Sequence, residues 1–343
     1  MTYTMATPVQ KSTPPLLRLA HPMAFAAFLR HVGAPVERHM RRHGLPVLCD
    51  DPDVFVPLAR IWSFFDTAAR HEGPMLGWLV GAHIGDHNIN AGLLRKLESA
   101  PTLLQALRGL MRMVRAESSD LDIGIHERRD DVLFYMHYAG MREAPGHMIS
   151  QAYQIEVVID LIRHFLGRHW APHEIGIESS FVPSIAEEHF PGCRILTQQP
   201  SGYIAVQRSC LHRAPLVRSA KVGGADDSVP AEKLDYIGTL RTVLKAYLSE
   251  GYPSERFAAE LMNTSVRTLT RRLSTYGLTY GALIDELRFK SAKEQLQKPS
   301  ARIGDVALSV GFDDQGDFAR MFRRIGGLSP REFRNAAWRV LSS

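Results

Sequence analysis

The chain has 343 residues, 45% of them hydrophobic and 22% charged, with a formal net charge of +5. This is an ordinary globular composition at a length that favours two cores over one. No uncharged apolar run is long enough for a membrane-spanning helix. Cys49, Cys193 and Cys210 are far apart and form no CxxC pair. That argues against a disulfide framework or a thiolate zinc site, and the expected setting is a reducing cytoplasm.

The charge is divided unevenly. Residues 1–233 carry 24 Lys and Arg against 24 Asp and Glu, whereas residues 234–343 carry 17 against 12. A neutral body joined to a basic end is the layout expected when only the end meets a polyanion.

Residues 1–15 are polar and proline-bearing, lack the traits of an export signal, and are expected to be a disordered tail. The spacing of apolar residues then predicts helices over Met23–His43, Pro57–His71 and Thr102–Glu117. Strands are expected over Leu121–Glu127 and Val132–Tyr138, joined by a hairpin turn at Arg128–Asp131. A long helix over Ser150–Arg168 follows, then strands at Glu174–Ser179 and Tyr203–Val206. The sum is an α+β domain over residues 16–213.

Within that domain His83 and His87 stand one helical turn apart, but no third ligand lies near and a polar turn at Gly85–Asn88 accounts for them, so no metal is expected. Trp62, Phe64, Phe65, Trp78, Tyr135 and Tyr138 could line an effector pocket, although their spacing suits a core better. No phosphate-cradling, dinucleotide-binding, zinc-protease or serine-hydrolase motif occurs. Neither a catalytic residue nor a cofactor is indicated, and an enzyme is not expected. Residues 214–233, with Gly223, Gly224, Asp226, Asp227, Ser228 and Pro230, have the composition of a linker.

The remaining segment, 234–343, contains a pattern that occurs twice. Phe257, Ala258, Leu261, Leu269, Arg271 and Leu273 recur 49 residues later as Val306, Ala307, Val310, Phe318, Arg320 and Phe322. Each copy reads as two short helices with a tight turn between them, the spacing of a helix-turn-helix. Ser254 and Ser265 are placed to cap the helices of the first copy. In the second copy Gly311 suits the turn, and Asp313 or Asp314 the cap. Thr279–Gln297 between the copies reads as one continuous helix.

The second helix of each copy is the expected reading helix, its N-terminal part in a major groove. Its outward residues are Arg267, Thr270 and Arg271 in the first copy and Gln315, Asp317 and Arg320 in the second; these are the candidate base contacts. Arg267 and Arg271 each offer a guanidinium fork to guanine, while Asp317 either accepts from cytosine or orients Arg320. Arg272, Lys290, Lys293, Arg323 and Arg324 are the candidate phosphate contacts, which position without reading sequence.

The stretch "IGDVALSVGFDDQGDFARMFRRIGGLSPREFR", Ile303 to Arg334, resembles the AraC/XylS family of transcription regulators. Gly311, Phe312, Phe318, Arg320, Phe322, Gly327, Ser329, Pro330, Phe333 and Arg334 stand where that family's signature has them. Asn263 departs from it, standing where a hydrophobic residue (compare Phe312) is common, and Gly316 and Asp317 are unusual on the second reading face. The resemblance implies an all-α DNA-binding domain with two tandem helix-turn-helix units. It also implies activation of transcription through contact with RNA polymerase. The mainly helical beginning of the chain resembles the subgroup whose longer N-terminal domain is labelled arabinose-binding, although no residue argues for a sugar.

The expectation is therefore a cytoplasmic, homodimeric, sequence-specific regulator of double-stranded DNA. A small-molecule effector on the N-terminal domain would control it. The alternative is an N-terminal domain that serves only dimerisation or protein contact.

Overall fold

The structure is a computed structural model. It describes residues 13–49, 51, 53–86, 97, 100–118, 120–138, 141–182, 185–216, 235–298 and 301–341. The chain forms two compact units. The first is built mainly from Pro15–Leu45 and Leu58–Lys233, the second from Pro46–Pro57 and Leu234–Ser343. Most of the expected tail and linker, and His87, lie outside the described residues.

The first unit begins with strand β1 (Leu16–Arg18) and helices α1 (Ala20–His31) and α2 (Val36–Arg42). The single helix expected over Met23–His43 is thus two. Gly33, at φ 82°, ends the first, with the Ala34 N–H on the Leu29 carbonyl at 2.9 Å and the Gly33 N–H on the Arg30 carbonyl at 3.1 Å, and Pro35 leads into the second. After strand β2 (Phe55–Pro57), which belongs to the second unit, come α3 (Leu58–Glu72), α4 (Leu76–Asp86) and α5 (Leu103–Glu117), the last capped by Thr102.

The expected hairpin forms as β3 (Leu121–Glu127) and β4 (Asp131–Tyr138), antiparallel, with Ile123 opposite Met136. Helix α6 (His147–Leu166), strand β5 (Glu174–Gly176), helix α7 (Ile185–His189) and strands β6 (Arg194–Leu196) and β7 (Gly202–Gln207) complete the unit. The sheet order is β3-β4-β7-β5-β6, with only the β5–β6 pair parallel.

Two details decide how this core closes. Helices α4 and α6 meet at glycine: a methyl group on Gly77 would stand 2.2 Å from the Ile149 carbonyl oxygen, and one on Gly81 2.6 Å from Glu156 Cβ. Those glycines lower helix propensity in return for close approach. Trp62, Phe64, Phe65, Trp78 and Tyr138 are buried side chains of this core. Tyr135 is partly buried against the Leu133–Tyr203–Ala205 cluster. The packing alternative holds for these aromatic residues.

The strand expected over Glu174–Ser179 stops at Gly176. Beyond it the Gln151 side chain, not a neighbouring strand, accepts from the Glu178 backbone N–H at 2.9 Å. Glu174, two per cent exposed, accepts from Tyr203 at 2.9 Å, from Arg128 at 2.7 Å and from Arg194, tying β5, β6 and β7 to the β3–β4 turn. Burial raises its pKa, but the hydrogen bonds from Arg194, Arg128 and Tyr203 outweigh that and hold it at about 2.

The second unit holds α8 (Tyr236–Lys245), α9 (Glu255–Leu261), α10 (Val266–Thr275), α11 (Tyr280–Leu296), α12 (Ile303–Ser309), α13 (Gln315–Gly326) and α14 (Pro330–Leu341). Pro46–Pro57 belongs here although it is early in the chain. Glu250 accepts from the backbone N–H groups of Val47 and Leu48, both at 2.6 Å, and Lys245 meets Asp51 at 3.3 Å.

Candidate nucleic-acid interface

Each helix pair of the second unit is built by its own sequence. Ser254 accepts from the Phe257 N–H to start α9, and Ser265 from the Thr268 N–H at 3.2 Å to start α10. In the second pair Asp314, not Asp313, is the cap, accepting from the Asp317 N–H at 2.9 Å. Side-chain capping satisfies backbone donors that the first turn leaves unpaired, and it fixes where each reading helix begins.

The repeat is not uniform. Reading helices α10 and α13 correspond at the expected offset of 49, with Leu269 and Leu273 buried as Phe318 and Phe322 are. The supporting helices correspond at 48. The Thr264 N–H bonds Ala259 O and the Phe312 N–H bonds Ala307 O, both at 2.9 Å. Asn263, at φ 49°, stands in the left-handed position that Gly311 fills at φ 80°. Thr264, not Asn263, is therefore the counterpart of Phe312. The second turn is one residue longer, which lets Phe312 pack on the core of its unit while Asp314 keeps the cap.

Arg267, Thr270 and Arg271 are exposed on α10, and Gln315, Asp317 and Arg320 on α13. The Thr270 hydroxyl lies 2.7 Å from Glu255 Oε1 and 2.9 Å from Val266 O. Its one proton serves one of these, leaving it an acceptor outward. Arg320 donates to Asp317 on the same helix, with the two side chains 74% and 58% exposed. An exposed pair of this kind contributes about 0–1 kcal/mol, so exchanging it for a base edge costs little.

Among the other cations, Lys290, Lys293, Arg323 and Arg324 are exposed. Arg324 also donates to Asp285 on α11 at 2.5 Å, and Lys293 Nζ lies 5.9 Å from the Phe333 ring. Arg272 is placed differently: its guanidinium sits over the Tyr236 ring at 4.3 Å, half-buried.

The residue that sequence reasoning missed is Arg288. It is buried on α11, donates to the Gly311 carbonyl at 2.8 Å, and lies over the rings of Phe312 at 4.4 Å and Tyr252 at 5.1 Å. Burial lowers its pKa. The connecting helix thereby grips the second turn. A signal was present, because Arg288 falls four residues after Ile284 on the inward stripe. Tyr280 on the same helix donates to Pro253 O at 2.7 Å, just before the first pair.

Comparison with known proteins gives these elements a lineage. Residues 33–215, more than half of the chain, match the family described as the arabinose-binding domain of AraC transcription regulator, N-terminal. Residues 258–336 match the family described as a helix-turn-helix domain. The chain belongs to the AraC family of transcription regulators.

It is a DNA-binding regulator and not an enzyme. It is 22% identical over 289 residues to the HTH-type transcriptional regulator VqsM of Pseudomonas aeruginosa, covering 80% of this chain and 87% of that one. The ornithine utilization regulator of the same organism is 35% identical over 85 residues, a quarter of each chain. The HTH-type transcriptional activator RhaS of Escherichia coli is 33% identical over 107 residues, 30% of this chain and 38% of RhaS. Among solved structures, the transcriptional regulator CdpR of Pseudomonas aeruginosa aligns over 92% of this chain and 98% of its own, with 18% identity and a TM-score of 0.40. Among the described residues no helix is long and apolar enough to cross a membrane.

Proposed function

We propose that this regulator is a homodimeric activator that touches RNA polymerase and is controlled by a small molecule bound to its first unit. Residues 16–213 form the sensing and dimerisation domain, 214–233 the linker and 234–343 the DNA-reading domain, and the protein works in the cytoplasm. Arg267, Thr270 and Arg271 read one major-groove segment, and Gln315, Asp317 and Arg320 a second. Lys290, Lys293, Arg323 and Arg324 hold phosphates. Arg272 supports the fold through Tyr236 before it reaches any phosphate.

The observation that carries the DNA assignment is the pairing of faces on α10 and α13. One side is fixed in a core by Leu269, Leu273, Phe318 and Phe322, and the opposite side presents exposed polar groups from the capped first turns onward. Control by an effector is supported by the match of residues 33–215 to the family described as an arabinose-binding domain. It is supported also by an open cleft in the first unit. The effector acts by favouring one arrangement of the reading units, and coupling of about 1–3 kcal/mol is ordinary.

The test is affinity for a duplex selected from random sequence, measured across salt concentrations. A log–log slope near −0.9 per neutralised phosphate is expected. A salt-independent affinity would refute phosphate-anchored reading.

A further inference from the structure

The cleft in the first unit has a volume of about 740 Å³ and is walled by the end of α3, the start of α6 and the loop after β5. At its floor lies Glu178, whose side chain is 0% exposed. Its Oε1 accepts from His137 Nδ1 at 3.2 Å and from Gln151 Nε2 at 3.1 Å. Its Oε2 has no hydrogen-bond partner among the described residues. The nearest cation is Arg142, with Nε 3.7 Å from that oxygen and Nη2 turned to the Gln199 carbonyl at 2.5 Å. His147 Nε2 stands 3.8 Å from Oε1, and burial lowers its pKa, which favours the neutral ring. A buried carboxylate oxygen without a donor costs free energy that a bound donor recovers.

The same cleft contains the opposite charge. Helix α6, 20 residues long, begins at Gly146 with no side-chain cap and no acid in its first turn. The His147 N–H is taken by the Ala144 carbonyl at 3.1 Å, and the positive end of the dipole and the N–H groups that follow remain for an anion. Arg142 lies beside it with further guanidinium donors. Apolar surface is supplied by Pro74, Met148 and the 57% exposed Phe181.

An ion pair stretched to 3.7 Å and not hydrogen-bonded is complementary to a ligand that carries both charges as substituents of one carbon. We infer that this cleft binds a free amino acid. The ammonium donates to Glu178 Oε2, the carboxylate lies on the start of α6 and Arg142, and the side chain lies against Met148 and Phe181. This inference rests on the proposed effector control and names the class of effector.

The experiment uses the full chain and, as probes, the twenty common L-amino acids, ornithine and β-alanine at millimolar concentration. Melting temperature is measured first, then calorimetry for those that raise it. At least one amino acid should raise the melting temperature. Its N-acetyl derivative, which lacks the ammonium, and its carboxamide, which lacks the carboxylate, should each bind at least tenfold more weakly. Glu178→Gln should weaken the same probe at least tenfold with the unliganded melting temperature retained. If that variant fails to fold, the derivative series on the natural chain decides alone. Failure of every probe, or an N-acetyl derivative that binds as well as its parent, overturns the inference.

The two readings fail separately. An amino acid that binds through Glu178 without changing operator affinity defeats effector control and leaves the site. A different metabolite that changes operator affinity while all probes fail defeats the site and leaves the control.

Discussion

Replacing Gly311 by alanine should unseat the second helix pair without touching any side chain proposed to meet DNA. Three costs add at that position. The backbone sits at φ 80°, where a Cβ costs about 1–2 kcal/mol. The new methyl would stand 2.4 Å from the Leu248 carbonyl oxygen and 2.8 Å from both the Gly251 carbonyl oxygen and the Arg288 guanidinium. Two of those neighbours are backbone and cannot swing aside. Shifting the turn would also weaken the bond from Arg288 to the Gly311 carbonyl, and a hydrogen bond to a charged group is worth about 1.5–3 kcal/mol.

The expected loss is about 3–5 kcal/mol in the local stability of α12 and α13. The assay is native-state hydrogen exchange resolved by peptide, comparing segments within 303–326 with segments in the first unit. Protection should fall by that amount in 303–326 and stay unchanged around β3 and β4. Asn263→Gly is the control. It removes a side chain from the corresponding left-handed position, where Asn is already tolerated, and should change α9 and α10 by no more than about 1 kcal/mol. Unchanged protection in Gly311→Ala would refute the account of the second turn.

Other consequences are open to measurement. Arg271→Ala and Arg320→Ala should each weaken binding to a selected site by about 1–3 kcal/mol and relax preference at one base position. Arg323→Ala should weaken all duplexes alike and flatten the salt slope by about one unit, and a sequence-selective loss there would contradict its role. Glu174 has a folded pKa of about 2, below its ordinary value of 4.5. Its contribution is therefore present above pH 4.5 and is lost as pH falls toward 2. The shift corresponds to at most about 3 kcal/mol, reduced to nearer 2 because Arg194 is 70% exposed. Denaturant titrations should show Glu174→Gln less stable than the natural chain at pH 7, with the gap closing as pH approaches 2. Finally, Arg288→Ala should cost about 2–4 kcal/mol in the second unit, because it orphans the Gly311 carbonyl and leaves a hole between Phe312 and Tyr252. A melting profile unchanged in that unit would show the contact to be dispensable.

Much of the second unit was legible because its determinants are local. Ser254, Ser265 and Asp314 announce helix starts through their own side chains, and Leu269, Leu273, Phe318 and Phe322 declare the buried face by spacing alone. The β3–β4 hairpin was legible for the same reason, its alternation and turn lying within 18 residues. Helix α4 escaped because Gly77 and Gly81 make it look like a loop, and only the approach of α6 explains them. The end of β5 escaped because Gln151, remote in sequence, takes up the Glu178 backbone.

What the sequence determined by itself was the family, the capped helix pairs and the basic end, each set by residues within a few turns of one another. The tertiary structure alone decided that the two turns differ by a residue, and that Arg288 grips one of them. It alone joined Pro46–Pro57 to the second unit and brought Glu178, Arg142 and the start of α6 to one cleft. These depend on contacts between distant segments. Periodicity records which face of an element is buried, but not which element will cover it.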